Sequence, residues 1–333
     1  MCLLEFRFGN LYQIISIYNV EYIMKLTLDE HSTPFNLEST LLCGQLFRWK
    51  KEGDWWYGVV EDKVVKARQE KRILEFEGAS LDFISRYFRL DDNLPKIISE
   101  IRRDPLIDKA AKAFPGLRLV RQNPWECLVS YICATYKNIP SIKNMVLQLS
   151  KRFGDEITFE DYNYHRFPEP ETLANSSIHE LKQCKLGFRA KRVREAARVV
   201  GCNQLDFKEL KATEYETARD ELLKLPGVGI KVADCILLFS LDKLEAFPID
   251  IWIKRVIQEY YKDNFDSSFI KKISAKRSLS TKEYSSISSF ARDYFGEFAG
   301  YAQEYLYHFV RSRGLETADF RSTEAKPVLI PCL

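Results

Sequence analysis

Apolar and polar residues alternate through residues 25–78, and from residue 81 onward the apolar ones recur every three or four positions. The alternation predicts strands over residues 44–49, 55–60, 64–68 and 73–77, joined by polar turns at 51–54 and 61–62, and so an antiparallel sheet. The helical period predicts helices over residues 81–90, 95–103, 105–113, 123–136, 139–153, 177–184, 189–201, 214–224, 230–241, 251–262, 280–295 and 297–312. Local signals support several of these. Asn123 followed by Pro124 is a helix start, Ser280 with Glu283 makes a capping box, and Gly154 and Gly187 mark stops. The chain reads as α+β, a sheet followed by helices, with no internal repeat and no low-complexity run.

The two ends depart from this pattern. Residues 1–23 are rich in Leu, Ile, Phe and Tyr, but Arg7, Asn10, Gln13, Asn19 and Glu21 interrupt them. A membrane span needs about 20 nearly unbroken apolar residues, so no span is expected there. The segment reads either as an extension upstream of a start at Met24 or as an extra strand or helix docked on the body. The tail after Arg313 is polar, then proline-containing, and is expected to be loose.

At 333 residues the chain is long enough for two or three domains, and its 46% hydrophobic content is enough for a sizeable core. The formal net charge is only +3, so any nucleic-acid surface must be local. The eight cysteines form no C-x-x-C pair, and no secretory signal precedes them, which points to a reducing, intracellular setting. The four histidines are far apart, and no metal site is expected.

The most specific chemistry lies in Leu225-Pro226-Gly227-Val228-Gly229, between two helical patterns. This is a helix-hairpin-helix arrangement. Its two glycines, Gly227 and Gly229, let backbone amides approach a phosphate at the next helix N-terminus. An ordinary Gly-rich helix connection is the plainer alternative. Lys231 follows in the first turn. A positive helix end and partial burial both lower a lysine pKa and free the amine as a nucleophile, although Lys231 taken alone reads as a solvated surface lysine. Asp250 lies 19 residues further on, before another helix. It suits a plain N-cap, and its carboxylate also suits a developing positive charge. Phosphate grip, amine and carboxylate are the parts needed to cut a base from DNA through a Schiff base.

These residues, together with Cys43-Gly44-Gln45-Leu46-Phe47-Arg48-Trp49, Asn123-Pro124-Trp125-Glu126-Cys127, Leu186-Gly187-Phe188-Arg189-Ala190-Lys191 and Gly300-Tyr301-Ala302-Gln303, closely resemble the 8-oxoguanine DNA glycosylase/AP lyase family of the helix-hairpin-helix, Gly-Pro-Asp superfamily. The resemblance runs from about Leu26 to Arg313. It implies a sheet domain like that of the TATA-binding protein over residues 25–118 and an all-α glycosylase domain over 119–315, with an extension at 1–24 and a tail at 316–333. The implied activity is excision of 8-oxoguanine from double-stranded DNA by a monomer at the DNA inside the cell, in nucleus or nucleoid. It needs no cofactor, metal or membrane. Lys231 takes the role of the attacking amine and Asp250 that of the catalytic carboxylate. The carbonyl of Gly44 accepts the N7 hydrogen of the lesion. Cys235 and Tyr307 lie on the two faces of the base, and Gln303 holds its pairing edge.

The DNA-facing residues depart from the family pattern. Tyr136 stands where an asparagine fills the gap left by the flipped base, and Ser141 replaces one of two arginines that read the orphaned cytosine. Arg189 keeps the other, Phe188 is the neighbouring wedge, and Trp252 replaces a histidine near the phosphate. These changes put strict preference for cytosine in doubt. The basic run Arg189, Lys191, Arg192, Arg194 and Arg198 offers phosphate contacts at its start and a solvated face at its end. Only Cys332 follows Cys235, which argues against the iron–sulfur relatives. A glycosylase for another damaged purine and a catalytically silent DNA-binding hairpin protein remain the alternatives.

Overall fold

The computed structural model describes the backbone of residues 3–8, 11–16 and 23–313. The loose tail expected at 316–333 lies outside the described residues. Strands β1 (Leu3–Phe8), β2 (Leu11–Ser16), β3 (Met24–Thr27), β4 (Trp49–Glu52), β5 (Trp55–Val60), β6 (Lys63–Glu70) and β7 (Ile73–Glu77) form one sheet in the order β1-β2-β3-β7-β6-β5-β4. Every neighbouring pair is antiparallel. The register aligns Leu26 with Leu74 and Ala67 with both Trp56 and Phe76, and all five are buried on one face. Alternation along each strand thus supplies one apolar face.

Two expectations change here. The strand expected at 44–49 begins only at Trp49, and residues 44–48 form a turn. Gly44 sits at φ +115°, a left-handed conformation that no extended strand contains. Just before that turn, Leu37–Leu42 is a helix capped by Asn36, whose side chain accepts from the Ser39 N–H. The region expected to be all strand therefore contains a helix and a turn.

The twelve helices expected after residue 81 are all present, with ends that differ by up to three residues. The caps account for the agreement. Asn123 accepts from the Glu126 N–H, and the Ser280–Glu283 box is closed in both directions. Short helices at Pro170–Asn175, Phe207–Ala212 and Ser267–Ser274 escaped the periodicity because six to eight residues hold only about two turns. The hairpin Glu156–Phe159/Tyr162–His165 also escaped it, since its side chains are exposed or half-buried. No helix among the described residues is long and apolar enough to cross a membrane.

Two hydrophobic cores result. One lies under the sheet and includes Leu26, Leu74, Phe76, Phe83, Phe88 and Val120. The larger one fills the helical part. Each buried Leu, Val, Ile or Phe in them contributes about 1.5–3 kcal/mol of transfer free energy. The turn after the Leu37–Leu42 helix straddles both: Cys43 and Phe47 pack into the helical core, Leu46 and Trp49 into the sheet core. Charges reinforce the join. Asp242 pairs with buried Arg89, with Arg121 at 3.3 Å and with Lys211 at 2.6 Å. The buried Arg118 guanidinium donates to the carbonyls of Pro34 (3.0 Å), Asp92 (3.1 Å) and Arg89. These bonds tie the sheet to the helices on either side of the turn that carries Gly44.

Candidate active site

The hairpin forms as the glycine spacing requires. Helix Tyr215–Leu223 ends, the chain turns at Pro226-Gly227-Val228, and helix Ile230–Ser240 begins at Gly229. Gly227 has φ +88°, and a Cβ there would lie 2.8 Å from side-chain atoms of Arg192. Buried Val228 anchors the turn. Gly229 is exposed, with open space around it, and no side chain caps the helix that follows. Its first N–H groups therefore present a positive end to an anion.

From that end the helix runs into the core. Val232 through Ser240 are all buried. Lys231 is half-buried in the first turn, and Cys235 lies one turn further along the same face. Both line a cavity of about 120 Å³. Asp250 faces the same cavity and caps helix Ile251–Tyr260, its Oδ1 accepting from the N–H groups of Trp252 (2.9 Å) and Ile253 (2.9 Å). Both cap bonds fall on one oxygen, and the carboxylate faces the cavity as well as the helix.

The opposite wall comes from helix Ala299–Arg313 and from the straddling turn. Gln303, Glu304 and Tyr307 line the cavity from one helix face, and Gly44 lies against them. A Cβ at Gly44 would fall 2.5 Å from Arg311 Nη1 and 3.2 Å from the Tyr307 ring, and the φ of +115° strains any other residue there. Arg311 Nη1 donates to the Cys43 carbonyl at 2.8 Å. All six residues that the sequence assigns to chemistry and base binding thus line one cavity: Gly44, Lys231, Cys235, Asp250, Gln303 and Tyr307.

The electrostatics correct one expectation. Lys231 was expected to have a lowered pKa, but it is held above its ordinary value. Loss of water lowers it, and the neighbouring Cys235 sulfur and Asp250 carboxylate outweigh that loss. The ammonium also lies 5.2 Å from the Tyr131 ring centroid, a cation–π contact. Burial pushes the Cys235 thiol up to about 12, so it is neutral at pH 7. Desolvation also raises Asp250, opposed by the two cap N–H groups and Lys231.

The remaining assigned residues lie outside the cavity. Tyr136 is 80% exposed at φ +56°, in a loop between two helices. A bulky residue in that conformation is strained, and here the strain displays the ring. Phe188 is 55% exposed just before helix Arg189–Gly201. Arg189 itself is only 3% exposed. Its guanidinium donates to the carbonyls of Thr135 and Leu186 and lies 4.3 Å from the Phe188 ring centroid. It braces the Tyr136 loop and does not face solvent. Ser141 sits in the first turn of helix Ile139–Phe153, its N–H held by the Asn138 side chain. Trp252 is half-buried beneath Arg255.

Several residues at the site carried no assigned role. Gln45 locks the turn beside Gly44: its Nε2 donates to the Arg118 carbonyl (2.9 Å) and its Oε1 accepts from the Val120 N–H (2.8 Å). Asp234, fully buried, accepts from Tyr215 (2.8 Å) and Tyr284 (2.7 Å), and the Tyr284 hydroxyl also accepts from the Ile249 N–H (3.1 Å). This chain of bonds ties the lysine helix to the residue before Asp250. Apolar neighbours in the sequence mark Asp234 as buried, but its partners lie 19 and 50 residues away. Glu304, also buried, lines the cavity beside Gln303.

Residues 27–128 match the family described as 8-oxoguanine DNA glycosylase, N-terminal domain. The chain is 30% identical over 313 residues to an N-glycosylase/DNA lyase of Saccharomyces cerevisiae, covering 81% of this chain and 82% of that protein. It is 31% identical over 221 residues to a probable N-glycosylase/DNA lyase of Methanothermobacter thermautotrophicus, covering 60% of this chain and 65% of that relative. Its fold matches that of Clostridium acetobutylicum 8-oxoguanine glycosylase/lyase bound to double-stranded DNA with cytosine opposite the lesion, at a TM-score of 0.77 and 28% identity, covering 95% of this chain and 99% of that one.

Proposed function

Because the chain belongs to the 8-oxoguanine DNA glycosylase family, we propose that it is a bifunctional DNA glycosylase and AP lyase that excises 8-oxoguanine from double-stranded DNA, with Lys231 as nucleophile. The observation that carries this reading is the meeting of Lys231, Asp250, Gly44, Cys235, Gln303 and Tyr307 around one cavity from four separate stretches of chain.

The bare end of the Ile230–Ser240 helix takes a backbone phosphate, and the lesion nucleotide turns out of the duplex into the cavity. Cys235 and Tyr307 flank the base, the Gly44 carbonyl accepts its N7–H, and Gln303 meets its pairing edge. Normal guanine carries a bare acceptor at N7, so the same carbonyl repels it. The N9–C1′ bond breaks as positive charge grows on the sugar, and the Asp250 carboxylate stabilises that charge. Lys231, as the neutral amine, forms the new bond to C1′, and the proton its nitrogen then loses neutralises the departing base. Ring opening gives an imine between C1′ and the lysine nitrogen. Loss of a C2′ proton then expels the 3′ phosphate by β-elimination. Borohydride trapping on duplexes holding 8-oxoguanine tests the reading. A covalent protein–DNA adduct and a released oxidised base are expected, and the absence of both overturns it.

A further inference from the structure

The cavity wall holds more hydrogen-bond acceptors than the protein satisfies. Gln303 Oε1 and Glu304 Oε1 are both buried without a hydrogen-bond partner. Buried acceptors are ordinarily paired, and two orphans side by side on a cavity wall point to donors brought by the occupant. Glu304 is the less expected of the two. It is 2% exposed, lines the cavity, and forms none of the ion pairs found among the described residues. Burial pushes its carboxyl up to about 7, opposed by the neighbouring Cys43 thiol and by the Arg311 and Lys231 charges. The residue lines the cavity while its Oε1 is shut off from solvent without a partner, an arrangement that packing alone does not call for.

The donors of the occupant can be counted. On the reading above, the N7–H of 8-oxoguanine goes to the Gly44 carbonyl. The pairing edge then offers O6 as acceptor and N1–H and the 2-amino group as donors. One amide, that of Gln303, can donate to O6 and accept from N1–H. The 2-amino group then needs a further acceptor from the wall, and Glu304 Oε1 is an acceptor on a lining residue that has no donor.

We propose that Glu304 is a specificity-determining residue whose carboxyl accepts a hydrogen bond from the 2-amino group of the flipped base, so that the pocket favours guanine-derived lesions over oxidised purines lacking that group. The proposal rests on the function proposed above and adds a contact to it. Arg311 and Lys231 supply the positive charge that keeps the carboxylate tolerable in a closed pocket, and Gly44 is the floor on which the base sits beside it.

The test pairs a base lacking the donor with a protein lacking the acceptor. Single-turnover excision of 8-oxoguanine and of 8-oxohypoxanthine, each opposite cytosine, is measured for the wild type, Glu304→Ala and Glu304→Gln. Borohydride trapping on abasic duplex confirms that each variant is folded and chemically competent. The wild type should prefer 8-oxoguanine by about 10- to 100-fold, the range for a buried group that loses its partner. In Glu304→Ala the preference should shrink to about threefold or less, and Glu304→Gln, which keeps an acceptor oxygen, should retain part of it. An unchanged ratio in Glu304→Ala overturns the proposal. If Glu304→Ala does not fold, the wild type decides: equal excision of the two bases overturns it as well. A wild type that excises neither base overturns the proposed function itself, a result distinguishable from failure of the Glu304 contact.

Discussion

The lesion cavity and the exposed aromatic face next to it are a few residues apart in sequence, yet their side chains are held by opposite means. Ala134, Lys137 and Ile139 line the cavity, while Tyr136 between them points to solvent. In the cavity each group is fixed by directional bonds. Asp250 is fixed by two cap N–H groups, Gly44 by the Gln45 network, and the lysine helix by the Asp234 clamp. On the outer face two rings, Tyr136 and Phe188, are exposed; Arg192 lies over the Phe188 ring at 5.0 Å, and Arg189 is turned inward to brace the Tyr136 loop. A cavity of fixed donors and acceptors can read a base by atoms. Two exposed rings can only stack, and stacking accepts any base. The comparison predicts strict choice of what is removed and loose choice of what lies opposite.

The largest effects belong to the cavity chemistry. Lys231→Gln should abolish the borohydride-trapped adduct while leaving lesion binding in place, measured by gel shift on an 8-oxoguanine duplex. A full yield of adduct would remove Lys231 from the mechanism. Asp250→Asn should slow base release by about 10²–10³-fold, the size of a lost electrostatic partner at the transition state. Asparagine caps helices as well as aspartate, so the melting temperature should hold. A drop in stability without a rate effect would reduce Asp250 to its cap.

The pH profile sharpens the same assignment. Desolvation raises the Asp250 carboxyl, so it takes up a proton at a higher pH than a surface aspartate. Excision needs its ionised form. The rate should therefore fall on acidification through a pKa above the ordinary carboxylate value of about 3.9, and Asp250→Asn should lose that acid limb. Lys231 is also raised, but its active form is the neutral amine. The rate should accordingly rise on the alkaline side. A profile flat from weak acid to weak alkali would refute both assignments.

Smaller effects test the walls. Gln303→Ala should weaken binding of 8-oxoguanine duplexes by about 1–3 kcal/mol, as for loss of a partner to a buried polar group. Binding to an abasic analogue should not change, because no base enters there. Equal loss on both duplexes would mean that the substitution disturbs the fold and not the base contact.

How far the site was legible in the sequence follows from the range of its interactions. Local devices were readable. The Asn123 and Ser280 caps, the hairpin glycines and the one-turn spacings of Lys231 to Cys235 and Gln303 to Tyr307 each depend on a handful of consecutive residues. Tertiary placement was not. Gly44 looked like a strand residue, and the turn it occupies is held by Gln45 bonds to Arg118 and Val120, more than 70 residues away. The Lys231 pKa is raised, against expectation, because desolvation is outweighed by Cys235 on its own helix and by Asp250 from another. Glu304 carries no local signal of its burial. Tyr301, Ala302, Tyr305 and Leu306 are all buried, so that helix has no solvated face at this level.

The mildest expected effect tests the outer face. An arginine that reads cytosine discriminates because a wrong base leaves its donors unpaired, and a good base contact is worth about 1–3 kcal/mol. Arg189 is the arginine retained here, but its donors already serve the Thr135 and Leu186 carbonyls. To reach a base it must give those bonds up, which offsets much of the gain. Ser141 is too short to replace a second arginine, and the Tyr136 ring stacks without preference. Excision opposite adenine, guanine or thymine should therefore stay within about tenfold of that opposite cytosine, or roughly 1.4 kcal/mol, in single-turnover rates on the four duplexes. Arg189→Ala separates its two possible roles. As a brace of the Tyr136 loop, its loss lowers all four rates by a common factor. As a cytosine reader, its loss lowers only the rate opposite cytosine. A cytosine preference of several hundredfold in the wild type, erased by Arg189→Ala, would mean that the guanidinium swings outward when DNA arrives and that the outer face reads its partner after all.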